Sequence, residues 1–208
     1  AFKYYIRNLK KVLNFTPSTI LDFGAGEGFI TNHFPESEIY LIENSRSLYD
    51  SLKDKYKNNS NIHPIFLSKN SELDKLLEHK SFDLVLCNSV LQYLNKEDAL
   101  ATTKTLSNKV TKDGIFILSD IISPRNILLQ DLINVLIFHI KYLSVWKFFL
   151  YVFYEFKKST DRFSSKLTTF QAEEITNYLC SDHAVNKVAN LTLCSSRTTL
   201  IIKNRAFI

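Results

Sequence analysis

Methionine is absent from the 208 residues, where a chain of this length ordinarily carries several, and glycine, proline and cysteine number only four, four and three. Four glycines are too few to mark flexible linkers, and no internal repeat or low-complexity tract interrupts the chain. The length therefore points to one domain over 1–208 that carries an elaboration. Cys87, Cys180 and Cys194 are odd in number, far apart and set mostly in apolar runs. No C-x-x-C pair or Cys/His cluster occurs, so neither a disulfide framework nor a structural zinc set is supported, and no metal is expected. The cysteines read as small buried hydrophobes in a reducing compartment.

Long apolar runs are missing too. In the most apolar region the longest stretch without Asp, Glu, Lys or Arg is Leu132–Ile140, far short of the roughly 20 residues that span a bilayer. The opening AFKYYIRNLKKVLNF reads as a basic amphipathic helix rather than a signal peptide, and a cytoplasmic location is expected. The net charge of +5 is spread along the chain. A protein that tracks a nucleic-acid backbone gathers Lys and Arg into a stripe with exposed aromatics, so no nucleic-acid partner is expected. With 45% hydrophobic and 23% charged residues, a disordered chain is excluded.

What is present is alternation. The pattern predicts a helix near 2–13, a strand Thr19–Phe23, a short helix from Gly28 and a strand Glu38–Glu43. A helix Ser45–Lys57, a strand Asn61–Phe66, a helix Ser71–His79 and a strand Phe82–Cys87 follow. A helix Lys96–Val110 then leads to a strand Gly114–Ser119. After a break come a helix Thr169–Tyr178 and strands Ala184–Val188 and Thr198–Ile202. Short apolar strands alternating with helices argue an α/β fold, a parallel sheet covered on both faces.

The most informative segment is Ile20-Leu-Asp-Phe-Gly-Ala-Gly-Glu-Gly28, where an apolar strand runs into three glycines at alternate positions. Glycine serves where the backbone turns tightly and where a ligand must lie against the main chain. Glu43 ends the second strand, where a carboxylate can accept hydrogen bonds from both hydroxyls of an adenosine ribose. A nicotinamide dinucleotide fits those two features equally, but its G-x-G-x-x-G fingerprint would need glycine at Phe29. Asp22 and Glu27 flank the loop, a poor arrangement for a pyrophosphate and a good one for a cation. S-adenosylmethionine, with a sulfonium, an ammonium and no phosphate, suits that charge.

LDFGAGEG (21–28), Glu43 and SFDLVLCNSVLQYL (81–94) together resemble the class I S-adenosylmethionine-dependent methyltransferases. The resemblance spans about 15–120, with 169–203 fitting the family's closing helix and two strands. It implies a seven-stranded, Rossmann-like sheet of order 3-2-1-4-5-7-6 with the seventh strand antiparallel. It also implies that Asp22, Gly24, Ala25 and Gly26 surround the amino-acid end of S-adenosylmethionine. Glu43 would hold the ribose, with Asn44 beside the adenine, and Asn88 and Ser89 would complete the floor. Where the family often has Asp after the third strand this chain has Leu67-Ser68-Lys69, so Ser68 stands in for the adenine contact.

Methyl transfer is an in-line displacement, in which the enzyme holds acceptor and methyl aligned and excludes water; a hydroxyl acceptor also benefits from a base. Asp120, directly after the fifth strand, is the first candidate base, and capping of the turn before Ser123-Pro124 explains it as well. Gln92 and Tyr93 could orient the acceptor, and Arg197 could bind an acidic one.

Residues 121–166 form an aromatic helical insertion, with Phe138, Tyr142, Trp146, Phe149 and Phe153 at helical spacing and basic residues outnumbering acidic ones. A lid over the acceptor, a peripheral membrane contact through 126–156 and a homodimer interface all stay open. From Asp120 onward the pattern also loosely resembles bacterial methyltransferases of glycan and cell-envelope biosynthesis, which adds a glycan or lipid-linked acceptor to the small-molecule ones. A nicotinamide-dependent oxidoreductase and a non-catalytic cofactor-binding adaptor are the alternatives.

Overall fold

The computed structural model describes residues 2–124, 167–192 and 197–205. Nearly all of the aromatic insertion therefore lies outside the described residues. Seven strands form one sheet in the order β3-β2-β1-β4-β5-β7-β6. In chain order they are β1 (Thr19–Phe23), β2 (Glu38–Glu43), β3 (Ile62–Phe66), β4 (Phe82–Asn88), β5 (Val110–Ile121), β6 (His183–Ala189) and β7 (Thr198–Asn204). β7 runs antiparallel to both of its neighbours, β5 and β6, and the pairings from β3 across to β5 are parallel.

Strand alternation sorts the core into two layers. Ile20, Leu84, Leu86, Ile115 and Ile117 face α1 (Phe2–Val12), whose Tyr5, Ile6 and Leu9 are buried, and Leu52 of α2 (Arg46–Lys55) joins them. Leu21, Phe23, Val85, Cys87, Phe116 and Leu118 face the other way. There α3 (Leu73–Leu76), α4 (Lys96–Asn108) and α5 (Ala172–Leu179) cover them through Leu73, Ala99, Leu106, Ile175 and Leu179. α4 starts where Asn95 accepts the Asp98 amide at 2.8 Å, and α5 opens with a capping box between Gln171 and Glu174.

Two predicted helices are corrected. No α-helix follows Gly28; the chain makes only a 3-10 turn, Thr31–His33, before β2. Pro35 is the physical reason, since a proline disfavours the helical region for the residue before it, and Phe34 sits at φ −137°. The expected helix Ser71–His79 is a 3-10 turn, Asn70–Glu72, running into the short α3. The fifth strand is longer than predicted, because pairing to β4 resumes upstream of Gly114 at Val110.

Candidate active site

The three loop glycines all adopt the left-handed region, at φ 76°, 57° and 68° for Gly24, Gly26 and Gly28. At Gly24 a Cβ would collide with the Val90 side chain, so the loop can lie against the β4 end only with glycine there. At Gly26 a Cβ would meet nothing within 4 Å, so the backbone is open on that side. The loop borders a cavity of about 340 Å³ at the carboxyl ends of β1 and β4, where ligands of parallel sheets bind. Among the described residues its lining includes Asp22 and Glu27 but no Lys, Arg or His. A larger cavity, about 430 Å³, lies around Lys10, Phe15 and Phe34 at the opposite ends of β1 and β2, away from the loop. With no α-helix behind the loop, no helix terminus supplies the amides and dipole that hold a pyrophosphate.

Glu43 is 5% exposed and holds the loop in shape. Its Oε2 accepts the Gly26 amide at 2.9 Å, and Oε1 accepts the Asn44 and Ser45 amides at 2.9 and 2.8 Å. Asp22 stands on the cavity wall with no hydrogen bond from the described residues. Burial, with the Glu43 charge adding to it, raises its carboxyl to a pKa of about 7. In Glu43→Gln a carboxamide must turn its NH2 toward one of those amides. We expect a loss of about 2 kcal/mol in unfolding free energy, read from urea denaturation.

At the neighbouring strand ends, Asn88 reaches the cavity, with its Oδ1 buried and unpartnered among the described residues. Ser89, at φ 60°, turns away, and its Oγ donates to Asp120 Oδ2 at 2.6 Å. Asp120, itself at φ 67° and 8% exposed, accepts Arg197 on the same oxygen at 2.6 Å. Its Oδ1 accepts Thr192 and Asn190 at 3.0 and 3.4 Å. The residue expected as a base thus ties the ends of β4 and β5 to the β6–β7 connection. Gln92 and Tyr93 follow on a 3-10 turn, Leu91–Tyr93. The Gln92 Oε1 is buried without a partner, whereas Tyr93 is 66% exposed and does not line the cavity.

Residues 21–116 match a family model described as "Methyltransferase domain". Those residues are a methyltransferase domain, on the seven-stranded sheet of the class I methyltransferase fold. Among solved structures it is similar to the N-methyltransferase NodS from Bradyrhizobium japonicum WM9, in complex with S-adenosyl-L-homocysteine. The TM-score is 0.61 at 12% identity, over 98% of this chain and 87% of that one. A TehB-like S-adenosylmethionine-dependent methyltransferase from Corynebacterium glutamicum gives 0.61 at 11%, over 97% and 88%. An O-methyltransferase family protein from Burkholderia thailandensis gives 0.60 at 13%, over 90% of this chain and 51% of that one. The chain therefore spans about half the length of that last protein, and at such identities the likeness is one of fold. No curated protein matches the sequence.

Within this methyltransferase domain Asp22, Gly24, Ala25, Gly26 and Asn88 share the cavity, and Glu43 sits behind the loop. Asn44 is exposed beside Glu43. Ser68 is exposed and donates to Glu72 at 2.9 Å, so nothing directs it toward the cavity. The cavity also recruits Phe2, Tyr5 and Phe29, which sequence reasoning left out. Phe2 and Phe29 pack with ring centroids 4.9 Å apart. Tyr5 shares the buried face of α1 with Leu9, so spacing alone reads it as packing; the usable signal was a hydroxyl on an otherwise apolar face. Among the described residues no helix is long and apolar enough to cross a membrane, and no acidic, His or Cys cluster could hold a metal.

Proposed function

We propose that the protein transfers a methyl group from S-adenosylmethionine to the oxygen or nitrogen of a small-molecule acceptor, with glycan and lipid-linked acceptors in the same range. One observation carries the reading. The glycine loop opens on a cavity walled by carboxyl groups, with no basic side chain among the described residues of its lining and no α-helix behind it. That charge suits a cationic nucleoside and opposes a diphosphate. The residues present fit such a group: Gly24 and Gly26 leave the main chain bare, and Asp22 offers an unpaired carboxyl. Glu43 Oε2 carries one amide and keeps a lone pair for a ribose hydroxyl.

S-adenosylmethionine supplies a methyl group already activated on sulfur. What remains for the protein is alignment and exclusion of water. Phe2, Phe29 and Leu48 supply an apolar wall on one side. On the β4 side, Gln92 supplies a buried amide oxygen able to orient an acceptor N–H or O–H. The solved O- and N-methyltransferases of the same fold support oxygen or nitrogen as the accepting atom. Calorimetric titration should show S-adenosylhomocysteine binding and no binding of NAD. Binding of NAD without S-adenosylhomocysteine would transfer the assignment to the oxidoreductase reading.

A further inference from the structure

The helix α1 carries Lys3, Arg7, Lys10 and Lys11, all of them exposed. At 3.6 residues per turn these positions share one side of the helix, away from the buried Tyr5, Ile6 and Leu9, in a row about 12 Å long. No Asp or Glu occurs before Asp22, so residues 1–21 contribute +4 of the chain's net +5. None of the four cations forms an ion pair among the described residues. Arg7 and Lys10 instead lie over the rings of Tyr4 and Phe34, at 5.3 and 5.5 Å from their centres. Aromatic side chains flank the row, for Phe2 packs on Phe29, which is 47% exposed. At the far end Lys10 joins the lining of the cavity of about 430 Å³, beside Leu13, Phe15, Phe34 and Pro35. Glu36 is the one carboxylate among the described residues of that lining.

Like charges along one helix face disfavour the helix that carries them, and a surface of opposite sign relieves that cost. We propose that this face of α1 rests on an anionic lipid surface, with the four cations over the headgroups and the exposed ring of Phe29 at the acyl boundary. Basic residues along one side of an amphipathic helix, with aromatics at the edge, are the pattern of a helix that lies in a membrane interface. A protein partner matches less well, because lysine is depleted from protein–protein interfaces. A nucleic-acid strand is held in a basic groove with its bases stacked on open rings, whereas here the rings pack on each other beside a convex helix. The glycine-loop cavity, which Phe2 and Phe29 also line, then lies beside the lipid surface.

Flotation of the full chain with vesicles of equal parts phosphatidylglycerol and phosphatidylcholine, and with vesicles of phosphatidylcholine alone, tests this. The parent protein should bind the first and not the second, and salt at about 0.5 M should release it. Each Lys or Arg at such a surface contributes about fivefold in affinity, so Lys3→Gln combined with Lys11→Gln should weaken binding about 25-fold. Both side chains are exposed, so the melting temperature of the double variant should match the parent's. Equal binding to both kinds of vesicle overturns the proposal. Undiminished binding of the double variant does so too, because the contact then lies elsewhere on the chain. A parent protein that floats with neither vesicle also overturns it, and its binding of polyglutamate or of a single-stranded oligonucleotide would give the row to an acidic chain instead.

Discussion

Asp120→Asn should cost about 3 kcal/mol of stability while leaving the pH dependence of turnover as it was. Both Asp and Asn tolerate the left-handed backbone at this position, so the exchange leaves the turn alone and acts on charge and donors. The carboxylate holds Ser89 and Arg197 on one oxygen and Thr192 and Asn190 on the other, which fills its acceptor capacity. A carboxamide must point its NH2 at one of those donor pairs. It also removes the charge facing Arg197, whose side chain is only 21% exposed. Breaking a buried pair from one side typically costs about 3–5 kcal/mol, and the other contacts of Arg197 put this case at the low end. A general base would behave otherwise, since its loss alters the pH–rate profile with little change in stability. Denaturant unfolding and a pH–rate profile, taken below the variant's melting range, distinguish the two. Loss of the pH-dependent limb in Asp120→Asn would restore the base.

Much of the fold is legible in the sequence because its strands are short, apolar and bounded by turn residues. Thr19–Phe23 and Glu38–Glu43 lie where period and punctuation place them. Strand order is a different matter. Nothing in the local pattern of Thr198–Asn204 says that it inserts between β5 and β6; the family resemblance supplied that order, and the sheet bears it out. The helix after Gly28 failed because Phe29 to Phe34 has helical composition but ends against Pro35, which leaves only a turn.

The site divides along the same line. Asp22, Gly24, Gly26 and Glu43 are legible because their chemistry and their chain spacing coincide in one strand–loop–strand unit. Phe2 and Tyr5 come from a helix distant in sequence and carry no motif. Only the packing of α1 on that face of the sheet brings them to the cavity. Asp120 was visible as a residue but its partners were not, because Thr192, Asn190 and Arg197 reach it from beyond the insertion.

Stability should fall by up to roughly 4 kcal/mol as pH rises from about 4 to about 7, and Asp22→Asn should abolish that part of the fall. Asp22 has an ordinary pKa of 3.8, as in the unfolded chain, and about 7 when folded, for burial first and Glu43 second. Between those values the folded state keeps a proton that the unfolded state has lost, so each rise in pH favours unfolding. Below the lower value both states are protonated and the contribution is fully present; above the upper one both are ionised and it is gone. Tyr5 and Cys87, the other titratable groups beside Asp22, are both pushed upward and stay neutral across this window. Thermal unfolding at pH 5 and pH 8, compared between parent and Asp22→Asn, isolates the effect from other carboxylates. A bound cation reverses the sign, because it favours the ionised carboxylate. S-adenosylhomocysteine should therefore bind more tightly as pH rises toward 7 and release a proton on binding at pH 6. Calorimetry in two buffers of different ionisation enthalpy reads that proton directly. Asp22→Asn should bind weakly, with heat independent of the buffer. A parent protein that releases no proton at pH 6 would remove Asp22 from the cation's surroundings.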